Sequence, residues 1–173
     1  MSDSFEGHNI DSPRLISEML LSHVFDGPRI DLYADVDRIA SEDELETLRS
    51  FVQRTLQHEP VQYIVGKVWF YGAEFNVNDS TLIPRTCTET IVEQAAHHCE
   101  LADPAHTYRI ADIGTGSGCI AITLANSLPN CTIVATDISN DAIELARKNA
   151  VLHGVDDQIE FVLGDCTAPL TSL

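Results

Sequence analysis

Tyr108-Arg109-Ile110-Ala111-Asp112-Ile113-Gly114-Thr115-Gly116-Ser117-Gly118-Cys119-Ile120-Ala121 is the stretch whose reading decides the fold. Residues 108–111 have a strand pattern and residues 119–125 a helix pattern, so three glycines occupy a strand-to-helix turn. Glycine carries no side chain, which lets the backbone approach a ligand closely. The helix that follows points its free N–H groups at the same spot. Asp112 opens the turn, and Asp137 closes the next strand pattern. The combination reads as a pocket for a nucleoside-containing cofactor.

Downstream, strand patterns at 110–113, 132–136 and 159–163 alternate with helix patterns at 119–128 and 141–152. Ser139 or Asn140 can cap the second helix and Gly154 can end it. This alternation predicts a parallel sheet with right-handed crossovers, an α/β fold. Upstream, the first sixty residues read as helices. Ser12-Pro13 has the form of an N-cap followed by a first-turn proline. Leu15, Ile16, Met19, Leu20 and Val24 then recur at helical spacing. Ser41 and Glu44 have the spacing of a capping box, and Leu45, Leu48, Phe51, Val52 and Leu56 form the stripe behind it. Both stripes are expected to form a mutual core. Residues 63–66, 68–72 and 74–77 read as short strands with glycine turns, and 82–85 as an extended segment held by Pro84. Thr86 and Glu89 are spaced as a second capping box, and a loop is expected at Asp103-Pro104.

The 173 residues carry 10 basic and 27 acidic side chains, a net charge of −17. Such a chain repels phosphate backbones, and its basic residues are scattered, so nucleic acid is not the expected direct partner. An apolar content of 44% is enough for a packed core. Five cysteines with no Cys-x-x-Cys pair fit a reducing compartment. With no span-length apolar run and no secretion signal, the expected setting is the cytoplasm, away from membranes.

The glycine turn separates two cofactor classes. A dinucleotide dehydrogenase needs Gly-x-Gly-x-x-Gly, and Cys119 stands where the third glycine belongs. The pattern acid-x-Gly-x-Gly-x-Gly, which Asp112 through Gly118 fits completely, belongs to methyltransferases that use S-adenosylmethionine. In that reading Asp112 faces the cationic amino-acid end of the ligand, directly or through water. Asp137, 19 residues beyond Gly118, is placed to accept hydrogen bonds from the ribose hydroxyls. Asp165 ends the third strand pattern and can meet the exocyclic amine of adenine. His97-His98-Cys99 does not form a metal site, because adjacent helical residues do not converge on one point, and no Ser/His/Asp triad can be assigned.

Several segments together resemble one family. Arg14-Leu15-Ile16-Ser17-Glu18-Met19-Leu20-Leu21-Ser22-His23-Val24 is similar to its first helix. Glu59-Pro60-Val61-Gln62-Tyr63-Ile64-Val65-Gly66 is similar to the entry to its linker. Thr81-Leu82-Ile83-Pro84-Arg85, Thr88-Glu89, the Asp112 to Gly118 turn and Asp137-Ile138-Ser139 follow in order. The chain resembles the release factor glutamine N(5)-methyltransferases, the PrmC/HemK family. The resemblance implies a helical substrate-recognition domain (1–60), a β-hairpin and extended linker (61–85), and the N-terminal part of a class I, Rossmann-like S-adenosylmethionine-dependent domain (86–173). It implies methyl transfer to the glutamine of the Gly-Gly-Gln loop of a peptide chain release factor. Carried over by position, Gly114, Thr115, Gly116, Ser117, Gly118 and Asp137 contact the cofactor, with Asp165 and Cys166 near the adenine.

The chain departs from the family pattern in three places. It reads Pro84-Arg85-Thr86-Cys87-Thr88-Glu89 where members read Pro-Arg-Pro-acid-Thr-Glu. Cys166 stands where a larger residue is common. The family's Asn-Pro-Pro-Tyr segment, which orients the acceptor amide, does not occur in the 173 residues. The expectation is therefore a C-terminally truncated form with no catalytic residue of its own, inactive alone, with an exposed edge at the first strand of the sheet. The rival readings are a ribosomal-protein glutamine methyltransferase and a non-catalytic partner-binding module.

Overall fold

A computed structural model describes residues 1–102 and 106–172 of the chain. They fall into two compact units, Met1–Gly66 and Lys67–Leu173. The loop expected at Asp103-Pro104 lies outside the described residues.

The first unit is helical: α1 (Ser2–Gly7), α2 (Pro13–Val24), α3 (Asp31–Ala34), α4 (Glu42–Leu56) and α5 (Val61–Val65). Its core joins Phe5, Ile10, Leu20, Leu48, Val61 and Ile64, so the stripes of α2 and α4 do face one another. Leu15 and Leu45, read as part of those stripes, are 41% and 40% exposed and sit at their solvent edges. Phe5 is completely buried, which makes the acidic N-terminal segment a packed helix. The Ser41 hydroxyl accepts from the Glu44 amide and the Glu44 carboxylate accepts from the Ser41 amide, closing the expected capping box. Ser12 does not cap α2. It sits at φ 51°, whereas a capping hydroxyl reaches the first-turn amides from extended backbone. The Tyr33 hydroxyl, Arg29 and Arg14 converge on Glu18 and hold its carboxyl down at about 2.

Residues 61–65, within the segment expected to begin the linker strands, are helical instead. Pro60 precedes the turn, Val61 and Ile64 lie three apart on its buried side, and Gly66 ends it in the left-handed region at φ 74°. The β-branched residues suggested a strand, and tertiary burial overrode that preference.

The second unit opens with a hairpin, β1 (Lys67–Phe70) and β2 (Ala73–Asn76), turned through Tyr71 and Gly72, both at positive φ. Phe70 and Phe75 are 1% exposed and belong to the same core as the sheet and its helices. The hairpin is thus a wall of this unit. Residues 86–88 form a 3-10 turn before α6 (Glu89–Ala102), and the Thr86–Glu89 capping box does not form. Thr86 already lies inside the turn, and the Glu89 carboxylate accepts from the Tyr71 amide instead.

β3 (Tyr108–Ile113), α7 (Cys119–Ser127), β4 (Cys131–Asp137), α8 (Asn140–His153) and β5 (Ile159–Leu163) follow, with a final 3-10 turn at Ala168–Ser172. The strands are parallel in the order β3-β4-β5, which among the described residues leaves β3 at an edge, as expected. Ile133, Ala135, Ile159 and Phe161 pack in one core with Ile122, Leu124, Ile143 and Ala146 of α7 and α8. Ser139 accepts from the Ala142 amide to start α8, and Gly154 ends it at φ 67°. Among the described residues no helix is long and apolar enough to cross a membrane.

Ser41→Ala removes one arm of the capping box on α4. Its expected cost is about 1 kcal/mol of unfolding free energy by urea denaturation of the full chain.

Candidate cofactor site

In the sheet, Ile113 pairs with Thr136 and Asp137 with Leu163, so the carboxyl ends of β3, β4 and β5 finish level. Open parallel sheets bind their ligands at this end. The glycine turn rises from it and is fixed to the neighbouring strand. The Thr136 carbonyl accepts from the amides of Gly114 and Thr115, each at 2.8 Å. The Gly118 amide donates to the Thr115 carbonyl at 2.9 Å, which closes the turn onto α7. One oxygen of Asp137 accepts from the Gly116 amide at 2.9 Å and the other from the Ser139 amide at 3.0 Å. Asp137 thus ties the turn to the start of α8. A carboxylate has about four lone-pair directions, so two remain for a ligand.

The seven turn residues do different work. Asp112 is the residue expected to face the amino-acid end of the ligand, directly or through water. It is 9% exposed, and its carboxylate accepts from the Thr115 hydroxyl at 2.7 Å. Burial holds its pKa above the usual carboxylate value; the Thr115 hydroxyl and the Ala121 amide oppose the rise, and nearby Asp137 adds to it. The side chains of Thr115 and Ser117 are buried, which leaves their backbones to meet a ligand. Gly114 lies at φ 76°, and a Cβ built on it meets nothing within 4 Å. Its face of the turn is open. A Cβ on Gly116 meets only the Thr81 Cβ, at 3.9 Å. Gly118 is different: a Cβ there would stand 2.9 Å from the Ile122 Cδ1 and 3.1 Å from the Ala146 Cβ. That glycine serves the approach of α7 to α8.

Asp165 and Cys166 are exposed just beyond β5, beside the other two strand ends. Cys166 sits at φ 45°, its carbonyl accepts from the Thr136 hydroxyl at 3.4 Å, and its thiol is pushed up by the Asp165 carboxylate. Burial pushes the Cys119 thiol up to about 11, so it is not an activated nucleophile. Among the described residues no three His, Cys, Asp or Glu side chains stand together as metal ligands.

An open glycine face, an acceptor with lone pairs to spare and carboxylates at adjacent strand ends fit an adenosine-bearing cation. They fit a pyrophosphate poorly, since acids repel it. Three participants escaped the sequence. The Thr136 carbonyl is backbone and leaves no trace in composition. Thr81 reaches the turn from the segment after β2. Asn149 gives the clearest signal available, a polar residue on the stripe of Ala142, Ala146 and Ala150 that α8 buries.

Both units of the chain are similar to known proteins. Residues 1–66 match the PrmC N-terminal domain, and residues 105–173 match a methyltransferase domain. A release factor glutamine methyltransferase of Chlorobaculum tepidum is 46% identical over 163 residues, covering 93% of this chain and 55% of that protein. One from Nitratidesulfovibrio vulgaris is 41% identical over 165 residues, covering 95% of this chain and 55% of that protein. The chain thus spans about half the length of these relatives. A SAM-dependent methyltransferase from Agrobacterium tumefaciens superposes with a TM-score of 0.52 at 18% identity, over 61% of this chain and 34% of that one, a likeness of fold.

Gly118→Ala is expected to cost about 3 kcal/mol in urea denaturation, from left-handed strain and overpacking together. Asp112 titrates with the opposite sign to a salt-bridged acid. Its raised pKa gives a contribution complete below the ordinary value of 3.8 and lost as pH rises through the folded value. The stability of wild type relative to Asp112→Asn should therefore fall as pH rises above about 4 and through the raised folded value, read as the difference in thermal midpoint.

Proposed function

We propose that the chain belongs to the release factor glutamine methyltransferase family over the length it shares with those relatives, and that it binds S-adenosylmethionine at the carboxyl ends of β3, β4 and β5. The observation that carries this reading is the open face of Gly114 and Gly116 beside the Asp137 carboxylate, which keeps lone pairs free. In this reading Asp137 takes the ribose hydroxyls, the amides of the turn meet the amino-acid end of the ligand, and Asp165 with Cys166 borders the adenine. Asp112 acts from behind, holding the turn through Thr115. The bound group supplies an electrophilic methyl on a sulfonium sulfur.

The family's reaction is the proposed one: methyl transfer to the side-chain amide of the glutamine in a release factor's Gly-Gly-Gln loop. An amide nitrogen is a weak nucleophile because its lone pair is delocalised, so catalysis rests on orienting it toward the methyl group. The 173 residues include no Asn-Pro-Pro-Tyr segment to accept the amide hydrogens. We therefore assign this chain cofactor binding and, through residues 1–66, recognition of the protein substrate. Assayed by itself it is expected to bind without turnover. A net charge of −17 favours a protein substrate over nucleic acid, and the reading places the chain in the cytoplasm, off the membrane.

Calorimetric titration of the 173-residue chain tests this. S-adenosylmethionine should give saturable heat, and NAD none. Asp137→Ala should weaken binding by about tenfold to a hundredfold, the range for one or two charge-assisted hydrogen bonds. Gly114→Ala should weaken it while costing only about 1 kcal/mol of stability, since its Cβ fills ligand space rather than core. Release factor binding without cofactor heat would favour the partner-binding module instead.

A further inference from the structure

Asn149 is completely buried near the end of α8, on the side that faces the hairpin and the glycine turn. Every hydrogen-bonding position of its side-chain amide is used. Oδ1 accepts from the Asn76 backbone amide and from the Asn76 Nδ2, both at 2.9 Å. Nδ2 donates to the Asn76 carbonyl at 2.9 Å and to the Ser117 carbonyl at 2.8 Å. Asn76 is the last residue of β2, paired on its other side with Lys67 of β1. The Asn149 side chain therefore gives Asn76 the donor and acceptor that a neighbouring strand would give, and spends its remaining hydrogen on the turn. One position toward the N-terminus of the same stripe, Ala146 leaves room for Gly118. An apolar residue of equal size would leave three backbone groups, the amide and carbonyl of Asn76 and the buried carbonyl of Ser117, without this partner, and asparagine is a poor helix former. Helix propensity and core packing both argue against this residue here, and its hydrogen bonds account for it.

We propose that Asn149 is a positioning residue for the cofactor: its buried amide fastens the end of the hairpin and the Ser117 carbonyl to α8, and so sets the register in which the turn amides meet the ligand. The ligand half of this statement rests on the cofactor reading above. Its structural half concerns the turn itself and stands without it.

The test uses the full chain and two readouts. Asn149→Asp keeps the acceptor toward the Asn76 amides and, at neutral pH, loses both donors, to the Asn76 and Ser117 carbonyls. In the ligand-free variant, hydrogen exchange at the amides of residues 114–118 should quicken by about tenfold or more, while the β4 amides of residues 133–135 change by less than about twofold. The dissociation constant for S-adenosylmethionine should rise by about tenfold or more. Asn149→Ser, small and neutral, is read in the same way should the buried carboxylate prevent folding. Val92→Ala, a core truncation in α6 outside this hydrogen-bond network, is the control: it should lower the thermal midpoint and leave the dissociation constant unchanged. Equal acceleration at β4 and at the turn would mark Asn149 as a general packing residue and overturn the proposal, as would unchanged exchange at the turn. Absence of heat with wild type refutes the cofactor reading, and the exchange pattern then still decides for or against Asn149.

Discussion

The carbonyl of Thr136 accepts two hydrogen bonds, from the amides of Gly114 and Thr115, and the site depends on that junction. It is made one residue before β4 ends, in line with the parallel register that pairs Ile113 with Thr136. The chain leaving β3 is thereby held against the neighbouring strand while it reverses into α7. Positive φ at Gly114, Gly116 and Gly118 makes the reversal possible at low steric cost. Asp137, the next residue along β4, then reaches back to the Gly116 amide. Two successive residues of one strand thus fix three successive amides of the turn. A slip of one residue between β3 and β4 would move the carbonyl and the carboxylate together, and the pocket floor would be lost.

Rigid support comes from behind as well. Thr115, Ser117 and Asp112 turn their side chains inward, and Gly118 lets α7 lie against α8. The turn therefore presents a ligand with backbone, while its side chains serve packing. Such a division suits a site that must recognise a ligand closely without moving to do so, since an ordered turn has less conformational entropy to lose on binding.

Much of the second unit was legible because its local signals agree. The boundaries of β5 match the pattern at 159–163, Ser139 caps α8, and Gly154 ends it. Agreement of cap, stripe and stop on one answer is what makes a segment readable. Where signals conflicted, tertiary contacts decided. Val61–Val65 carries strand-forming residues, yet the first unit's core needs Val61 and Ile64 on one side of a turn of helix. Thr86 has capping chemistry, yet it falls within a 3-10 turn and Glu89 is claimed by Tyr71. The pocket followed the same rule. The glycines and Asp137 stand out by spacing, whereas the inward turn of Asp112 is a matter of burial that spacing does not carry. Asn149 and Thr136 act across 73 and 21 or more residues of separation, and no local pattern encodes such pairs.

The charge at the strand ends constrains what the pocket accepts. The Asp137 carboxylate is close enough to raise the cost of ionising Asp112, and this repulsion contributes to the raised pKa of Asp112. Asp165 adds a third carboxylate beyond the next strand. A dinucleotide would bring two further negative charges onto this row, and the turn offers only backbone amides to offset them. A sulfonium compound with an ammonium group brings positive charge and relieves the repulsion already present. Because Asp112 is buried, salt screens its share of this preference weakly. In the proposed reading, the missing third glycine at Cys119 and the surplus of acid at the strand ends work in the same direction, for a cationic nucleoside over a pyrophosphate.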